Sequence, residues 1–242
     1  MELALRHQSN DDDNAVVLVI DDDPDVREGL RCLFESVNLR SRSFRSAQEF
    51  LKCQIPDQVS CLILDVRLPG LSGLDFQTNI QIDIPIIFIT GHGDIPMSVK
   101  AMKGGAVEFL TKPIREHDIL EAVWTALDLD RKRRYRLQSA RDLRRRFDTL
   151  SPREQEVMTL VASGMMNKQV ACELGISEVT VKVHRHNIMN KLDAGAFTDL
   201  VRMADALGLP PSPRRSNSIA TKAARFATCD VEMGSQASRF VK

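Results

Sequence analysis

Four places in this 242-residue chain carry side chains able to act together chemically: the paired carboxylates of Asp21 and Asp22, the carboxylate of Asp65, the hydroxyl of Thr90 and the ammonium of Lys112. Three carboxylates brought together from two neighbouring strand ends repel one another unless a cation neutralises them, and an all-oxygen site with open positions suits Mg²⁺. Such a cation invites phosphate. Asp65 could then attack phosphorus as a nucleophile, with Lys112 holding the phosphoryl charge from the other side and the Thr90 hydroxyl bonding to the acyl phosphate once formed. Each residue also has an ordinary reading alone. Asp-Asp-Asp-Pro can cap a helix beginning at Pro24, with Asp23 placed to do so, Asp65 can serve a turn, Thr90 can close a strand, and Lys112 can be a surface lysine. Their order along the chain and their common position at strand ends favour the joint reading.

The elements that must position them are visible as apolar runs. Val16 to Ile20 ends at Asp21, Cys61 to Leu64 ends at Asp65, Ile84 to Ile89 ends at Thr90, and Glu108 to Leu110 ends near Lys112. Uninterrupted runs of this length, rich in β-branched residues, read as strands buried on both faces. Helical patterns separate them: Val26, Leu30, Leu33 and Phe34; Ala47, Phe50 and Leu51; Val99, Ala101 and Met102; Ile119, Leu120, Val123 and Leu127. Alternating strands and helices give a doubly wound parallel α/β sheet, in which ligands bind outside the carboxyl ends of the strands. Between Gly73 and Pro85 the amphipathic pattern fails over Gln77 to Ile82, so a short or distorted third helix is expected.

Composition bounds the class. With 43% hydrophobic and 27% charged residues the chain is globular, and its length suits two domains. The net charge of zero is a cancellation: residues 11–125 hold 19 Asp/Glu against 11 Lys/Arg, and residues 126–242 hold 13 against 21. An acidic half beside a basic half is expected where one binds a cation and the other a polyanion. The five cysteines are scattered without a C-x-x-C pair, which disfavours a disulfide framework or a zinc site. No apolar run is long enough to span a bilayer, and no signal-peptide core precedes Asp11, so a cytoplasmic protein is expected.

Helical pattern continues past Leu127 into Arg131 to Arg146, which carries nine Lys/Arg and reads as a solvated linker helix. Ser151-Pro152-Arg153-Glu154 then supplies a capping serine, a proline at the first helical position and a glutamate three after the cap. Helices are expected over about Pro152 to Ser163, Lys168 to Leu174, Glu178 to Leu192 and Ala196 to Leu207, with Asn167 and Ser177 as N-caps and Gly164 and Gly175 as stops. In the third, Val181, Ile188 and Leu192 form a core-facing stripe opposite Lys182, Val183, His186 and Asn190. A short helix, a turn around Gly175 and a longer capped helix, with cations at Lys168, Lys182, Arg185 and Lys191, point to insertion in a DNA major groove. His184 and His186 lie on different faces of that helix, against a metal site.

The strings LVIDDDPDVREGL, LILDVRLPGLSGLD and IFITGHGDIPMSVKAMKGGAVEFLTKP resemble the receiver domains of response regulators, especially the FixJ type. LSPREQEVMTLVASGMMNKQVACELGISEVTVKVHRHNIMNKL is similar to the LuxR/FixJ-type helix-turn-helix. The resemblance implies a flavodoxin-like five-stranded receiver over 14–128, a basic helical linker over 129–147 and a small all-α helix-turn-helix domain over 148–208. A tail over 209–242, without periodicity, is expected to be disordered. By the same likeness Asp65 is the phosphoacceptor, Asp21, Asp22, Asp65 and the backbone carbonyl of Arg67 hold Mg²⁺, Thr90 and Phe109 form a switch pair, and Lys112-Pro113 carries a cis peptide bond. Lys182, Val183 and His186 would face base edges, and Lys168, Thr180 and Asn187 would meet phosphates, with Lys191 among the DNA-facing cations. The implied partners are a sensor histidine kinase, double-stranded DNA, RNA polymerase and, once phosphorylated, a second copy of the chain, in the service of transcriptional activation. Some phosphatases share a Mg²⁺ site with a nucleophilic aspartate, but they need a second acid two residues later, where this chain has Arg67. Turnover of outside substrates is therefore not expected. A signalling module with a vestigial helix-turn-helix is the other alternative.

Overall fold

A computed structural model describes residues 14–54, 57–70, 72–79 and 83–209. The chain divides into two compact units, one ending at Gln138 and the other beginning at Ser139. The expectation for the tail falls on residues outside the described ones from 210 onward; Leu209 itself packs against the core of the second unit.

The first unit alternates strand and helix: β1 (Val16–Ile20), α1 (Pro24–Ser36), β2 (Arg40–Phe44), α2 (Ala47–Lys52), β3 (Ser60–Asp65), α3 (Gly73–Asn79), β4 (Ile86–Thr90), α4 (Ile95–Lys103), β5 (Glu108–Thr111) and α5 (Glu116–Phe147), the last running on past Gln138. The five strands are all parallel, in the order β2-β1-β3-β4-β5. Side chains alternate faces along each strand, which sorts the core into two layers. Leu18, Ile20, Leu62, Leu64 and Phe88 face a cluster containing Phe50, Phe76 and Ala101, while Val17, Val19, Ile63, Ile87 and Ile89 face Leu30, Phe34, Ile119, Val123 and Leu127. The helices cover both faces, as the strand runs require.

Two departures from expectation have physical reasons, and one expectation is met. β2, Arg-Ser-Arg-Ser-Phe, showed no apolar run because it is an edge strand with only Phe44 buried; Arg40 and Arg42 are charges of the kind that guard a sheet edge. β4 starts at Ile86, not Ile84, because Pro85 has no N–H for the ladder; its carbonyl still accepts the Leu62 N–H at 2.9 Å. α3 is described over seven residues, in keeping with the weak pattern after Gln77.

The second unit contains α6 (Pro152–Ala162), α7 (Asn167–Leu174), α8 (Glu178–Leu192) and α9 (Phe197–Ala206) around a core of Val157, Val161, Val170, Val181, Ile188, Leu192 and Leu200. Ser151 and Glu154 close the capping box that opens α6, Ser177 caps α8, and Gly175 ends α7 in the left-handed region at φ +66°. Asn167 does not cap α7. Met166 occupies the cap position, where the Gln169 side chain takes its N–H at 2.9 Å, and Asn167 becomes the first helical residue.

Candidate functional site

Register places the acidic residues before any side chain is considered. Ile20 pairs with Leu64 and Asp65 with Ile89, so Asp21 emerges next to Asp65 at the carboxyl edge of the sheet, and Thr90 pairs with Thr111, one residue before Lys112. Asp21, Asp22 and Asp65 each offer a carboxylate oxygen within 4.8 Å of the others. Asp21 is fully buried and Asp65 nearly so, whereas Asp22 is open to solvent. The Lys112 ammonium bridges the two buried carboxylates, 2.7 Å from Asp21 Oδ2 and 2.7 Å from Asp65 Oδ2. Burial pushes the Asp21 carboxyl above the usual range even though Lys112 and the Asp23 N–H bond to it, and the Asp65 charge adds to the rise. Burial acts to lower the Lys112 ammonium, but the two carboxylates outweigh it and hold it above its ordinary value. An all-carboxylate donor set, one member facing solvent, fits a hard divalent cation such as Mg²⁺.

The loops around the pocket are held by backbone bonds that the sequence did not announce. Asp65 Oδ1 accepts the Arg67 N–H at 2.8 Å, and Arg27 Nη1 donates to the carbonyls of Asp21 and Asp22 at 2.8 and 2.9 Å, fixing the turn that carries the acidic pair. Gly73 donates its N–H to the Val66 carbonyl at 2.9 Å, and a Cβ there would collide with the Asp65 carbonyl, so only glycine lets α3 start so close to the phosphoacceptor candidate. The Arg67 N–H bonds to the Asp65 carboxylate, and Lys112-Pro113 is a cis bond. Thr90 is fully buried with its hydroxyl accepting the His92 N–H at 3.3 Å. Phe109 is half-buried, its ring 6.5 Å from that of Phe88, in contact range of Gly93. Gly93 was not anticipated: a Cβ there would stand 2.9 Å from Thr111, 3.0 Å from Phe109 and 3.2 Å from Thr90.

In the second unit α8 buries Val181, Ile188 and Leu192 and leaves Lys182, Val183, His186 and Asn190 exposed, with Thr180 and Asn187 half-buried. His186 Nε2 pairs with the Asn190 amide at 3.1 Å, and the Thr180 hydroxyl with that of the capping Ser177 at 2.8 Å. Lys168 is exposed in the first turn of α7. Two cations counted toward DNA also have partners inside the unit. Lys191 Nζ lies 2.7 Å from Glu154 Oε2 and 3.4 Å from the Thr149 carbonyl, and Arg185 bonds to Asn167 while lying over the Phe197 ring. Burial acts to raise the Glu154 carboxyl, yet bonds from Lys191 and Ser151 hold it below the usual glutamate range. The sequence pattern gave no sign of the Lys191 and Arg185 contacts because their partners are far away in the chain.

Comparison with known proteins follows the same division. Residues 17–124 match the response regulator receiver domain and residues 148–204 the luxR family of bacterial regulatory proteins. Nodulation protein W of Bradyrhizobium diazoefficiens is 56% identical over 198 residues, covering 81% of this chain and 87% of that protein. Response regulator protein TmoT of Ectopseudomonas mendocina is 48% identical over 84% of this chain and 94% of its own, and transcriptional regulatory protein FixJ of Rhizobium meliloti is 40% identical over 81% and 98%. The solved response regulator StyR superposes with a TM-score of 0.70 at 49% identity, over 79% of this chain and 98% of that one. Among the described residues no helix is long and apolar enough to cross a membrane.

Proposed function

The chain belongs to the FixJ-type two-component response regulators, a receiver domain followed by a LuxR-type DNA-binding domain, and from that premise we propose that phosphorylation of Asp65 by a sensor histidine kinase switches dimerisation and DNA binding to activate transcription. The observation that carries this is the convergence of Asp21, Asp22 and Asp65 with Lys112 on one edge of the sheet. A carboxylate oxygen of Asp65 forms the new bond to phosphorus as the donor's phosphorus–nitrogen bond breaks, and the donor imidazole leaves with the electron pair. Mg²⁺, held by Asp21, Asp22, Asp65 and the Arg67 carbonyl, would neutralise charge on the phosphoryl oxygens. Lys112, already bonded to Asp65 Oδ2, is placed to follow that charge onto the phosphoryl group. Thr90 then bonds the acyl phosphate, and the Phe109 ring turns into the space its movement leaves.

That rearrangement would alter the surface of α4 and β5. Ile95, Val99 and Met102 form an exposed apolar stripe at helical spacing on α4, 79%, 45% and 46% accessible, which suits pairing with a second copy. A dimer would place two α8 helices on two-fold-related half-sites, with RNA polymerase as the partner in activation. Arg67, where a phosphatase would carry a second acid, supports a regulator that dephosphorylates itself weakly and does not turn over outside substrates.

The test is phosphorylation of the purified chain by acetyl phosphate with Mg²⁺, read by intact mass and by gel shift. Wild type should gain one phosphoryl group and bind DNA more tightly, and Asp65→Asn should do neither. A donor-dependent gain in DNA binding by Asp65→Asn would overturn the mechanism.

A further inference from the structure

Arg185 lies on α8 among residues expected to face DNA, yet its guanidinium is directed into the unit. Nη1 donates to Asn167 Oδ1 at 2.6 Å, and the guanidinium carbon lies 4.8 Å from the centroid of the Phe197 ring. Asn167 is the first residue of α7 and Phe197 the first of α9, so one side chain ties the recognition helix to the start of both neighbours. The bond also gives Asn167 a role in place of the cap it does not form: with Gln169 serving the Met166 N–H, the Asn167 amide oxygen is available to Arg185.

We propose that Arg185 is a positioning residue for DNA recognition, setting α8 against α7 through Asn167 and against α9 through Phe197, and that it does not itself neutralise a phosphate. The inference rests on the reading of the second unit as DNA-binding. A planar guanidinium can stack on a ring while an edge N–H donates in its plane, whereas an ammonium cannot satisfy both geometries. Lys168 follows Asn167 in the first turn of α7, and Lys182 lies three residues before Arg185 on α8. Both are exposed and make no ion pair among the described residues, so they are open to DNA, and the Arg185 contact fixes the spacing between their two helices.

Two measurements separate this role from a direct contact, both on the full chain. The first needs no DNA. In a thermal melt of the full chain, Phe197→Leu and Arg185→Lys should each lower the midpoint of the second unit's transition, and the double variant should fall little further than the worse single one, because the two remove the same contact. Simple addition of the two losses would overturn the contact. The second uses a duplex selected from a random pool by the acetyl phosphate-treated wild type, with binding followed against salt. Each phosphate contact contributes roughly 0.9 to the slope of log affinity against log salt. Lys168→Ala should reduce the slope by about one such contact. Arg185→Lys and Phe197→Leu should weaken binding by about tenfold with the wild-type slope, within the range of coupling between residues in contact. Wild-type affinity in Arg185→Lys, together with a slope reduced by about one contact in Arg185→Ala, would make Arg185 a phosphate ligand and overturn the proposal; so would unchanged binding in Arg185→Ala. Absence of any selectable duplex would overturn the DNA-binding reading itself, and with it the positioning role, while leaving the melt to decide the contact.

Discussion

At the scale of single residues, the pocket is a balance of charge that Lys112 now holds. Its ammonium touches both buried carboxylates at 2.7 Å, the same groups that would hold Mg²⁺. Replacing it in Lys112→Met leaves Asp21, already raised by burial, facing Asp65 without a counter-charge. The first unit should lose about 1–3 kcal/mol, the cost of stranding a buried charged hydrogen-bond partner. Mg²⁺ should then raise the melting midpoint of Lys112→Met by more than that of wild type, since the ion no longer competes with the ammonium. Trp124, the sole tryptophan, packs against the first unit's core and reports the transition by fluorescence. Equal Mg²⁺-dependent shifts in the two proteins would show that lysine and metal do not compete. A second prediction concerns Gly93, where a Cβ would press on Thr90, Phe109 and Thr111 together. Gly93→Ala should still take up phosphate at Asp65 but lose most of a phosphorylation-dependent gain in DNA affinity, on the scale of about 1–3 kcal/mol for a coupling between sites. Gel shifts with and without acetyl phosphate measure it; an undiminished gain would mean the space beside Gly93 is not used.

At the scale of elements, Glu154 joins the start of α6 to the end of α8 through Lys191, and its lowered pKa gives that contact a pH signature. A carboxyl held below its unfolded value contributes stability that is complete above the ordinary glutamate range and is lost as pH falls through the lowered value. Glu154→Gln should therefore destabilise the second unit by about 1–2 kcal/mol at neutral pH, discounted for the partly exposed lysine, and by progressively less below about pH 4. Denaturant titrations at several pH values check it; a pH-independent difference would mean that the charge of Glu154 stabilises neither the ion pair nor the capping box. Such links explain what could be read in advance. β1, β3 and β4 were legible because burial on both faces leaves nothing but apolar residues, and the strand ends then placed Asp21, Asp65 and Thr90 together. β2 was not, because an edge strand with one buried side chain has no periodic signature. The cap of α7 was misplaced because a local preference of asparagine yields to a partner eighteen residues away, and the partners of Arg185 and Lys191 were not legible because charge, unlike apolar periodicity, does not say which way it faces.

At the scale of the molecule, the chain holds two units with separate cores, and the boundary of the first depends on a buried charge that composition concealed within a run of basic residues. Asp130 on α5 is fully buried. Its Oδ2 accepts the Ser60 N–H at 2.9 Å and Arg134 Nε at 2.8 Å, and its Oδ1 accepts Arg133 Nε at 2.9 Å and Nη2 at 2.6 Å. Arg134 reaches on to Asp57 at 2.8 Å. The first turn of what reads as linker is thus part of the sheet's amino edge, closing the end of β3 opposite Asp65. A fragment covering residues 14–128 loses this contact and leaves the buried Ser60 N–H without its acceptor, at about 1–3 kcal/mol. A fragment covering 14–138 keeps it. The longer fragment should therefore melt higher by about 5–10 °C, on the usual scaling for a domain of this size. In the longer fragment Asp130→Ala should recover most of the difference, since it deletes the acceptor while leaving the helix. Melting curves of the three proteins, read through Trp124, decide the matter: coincident midpoints for the two fragments would mean that Asp130 closes nothing and that the first unit ends where its apolar pattern does.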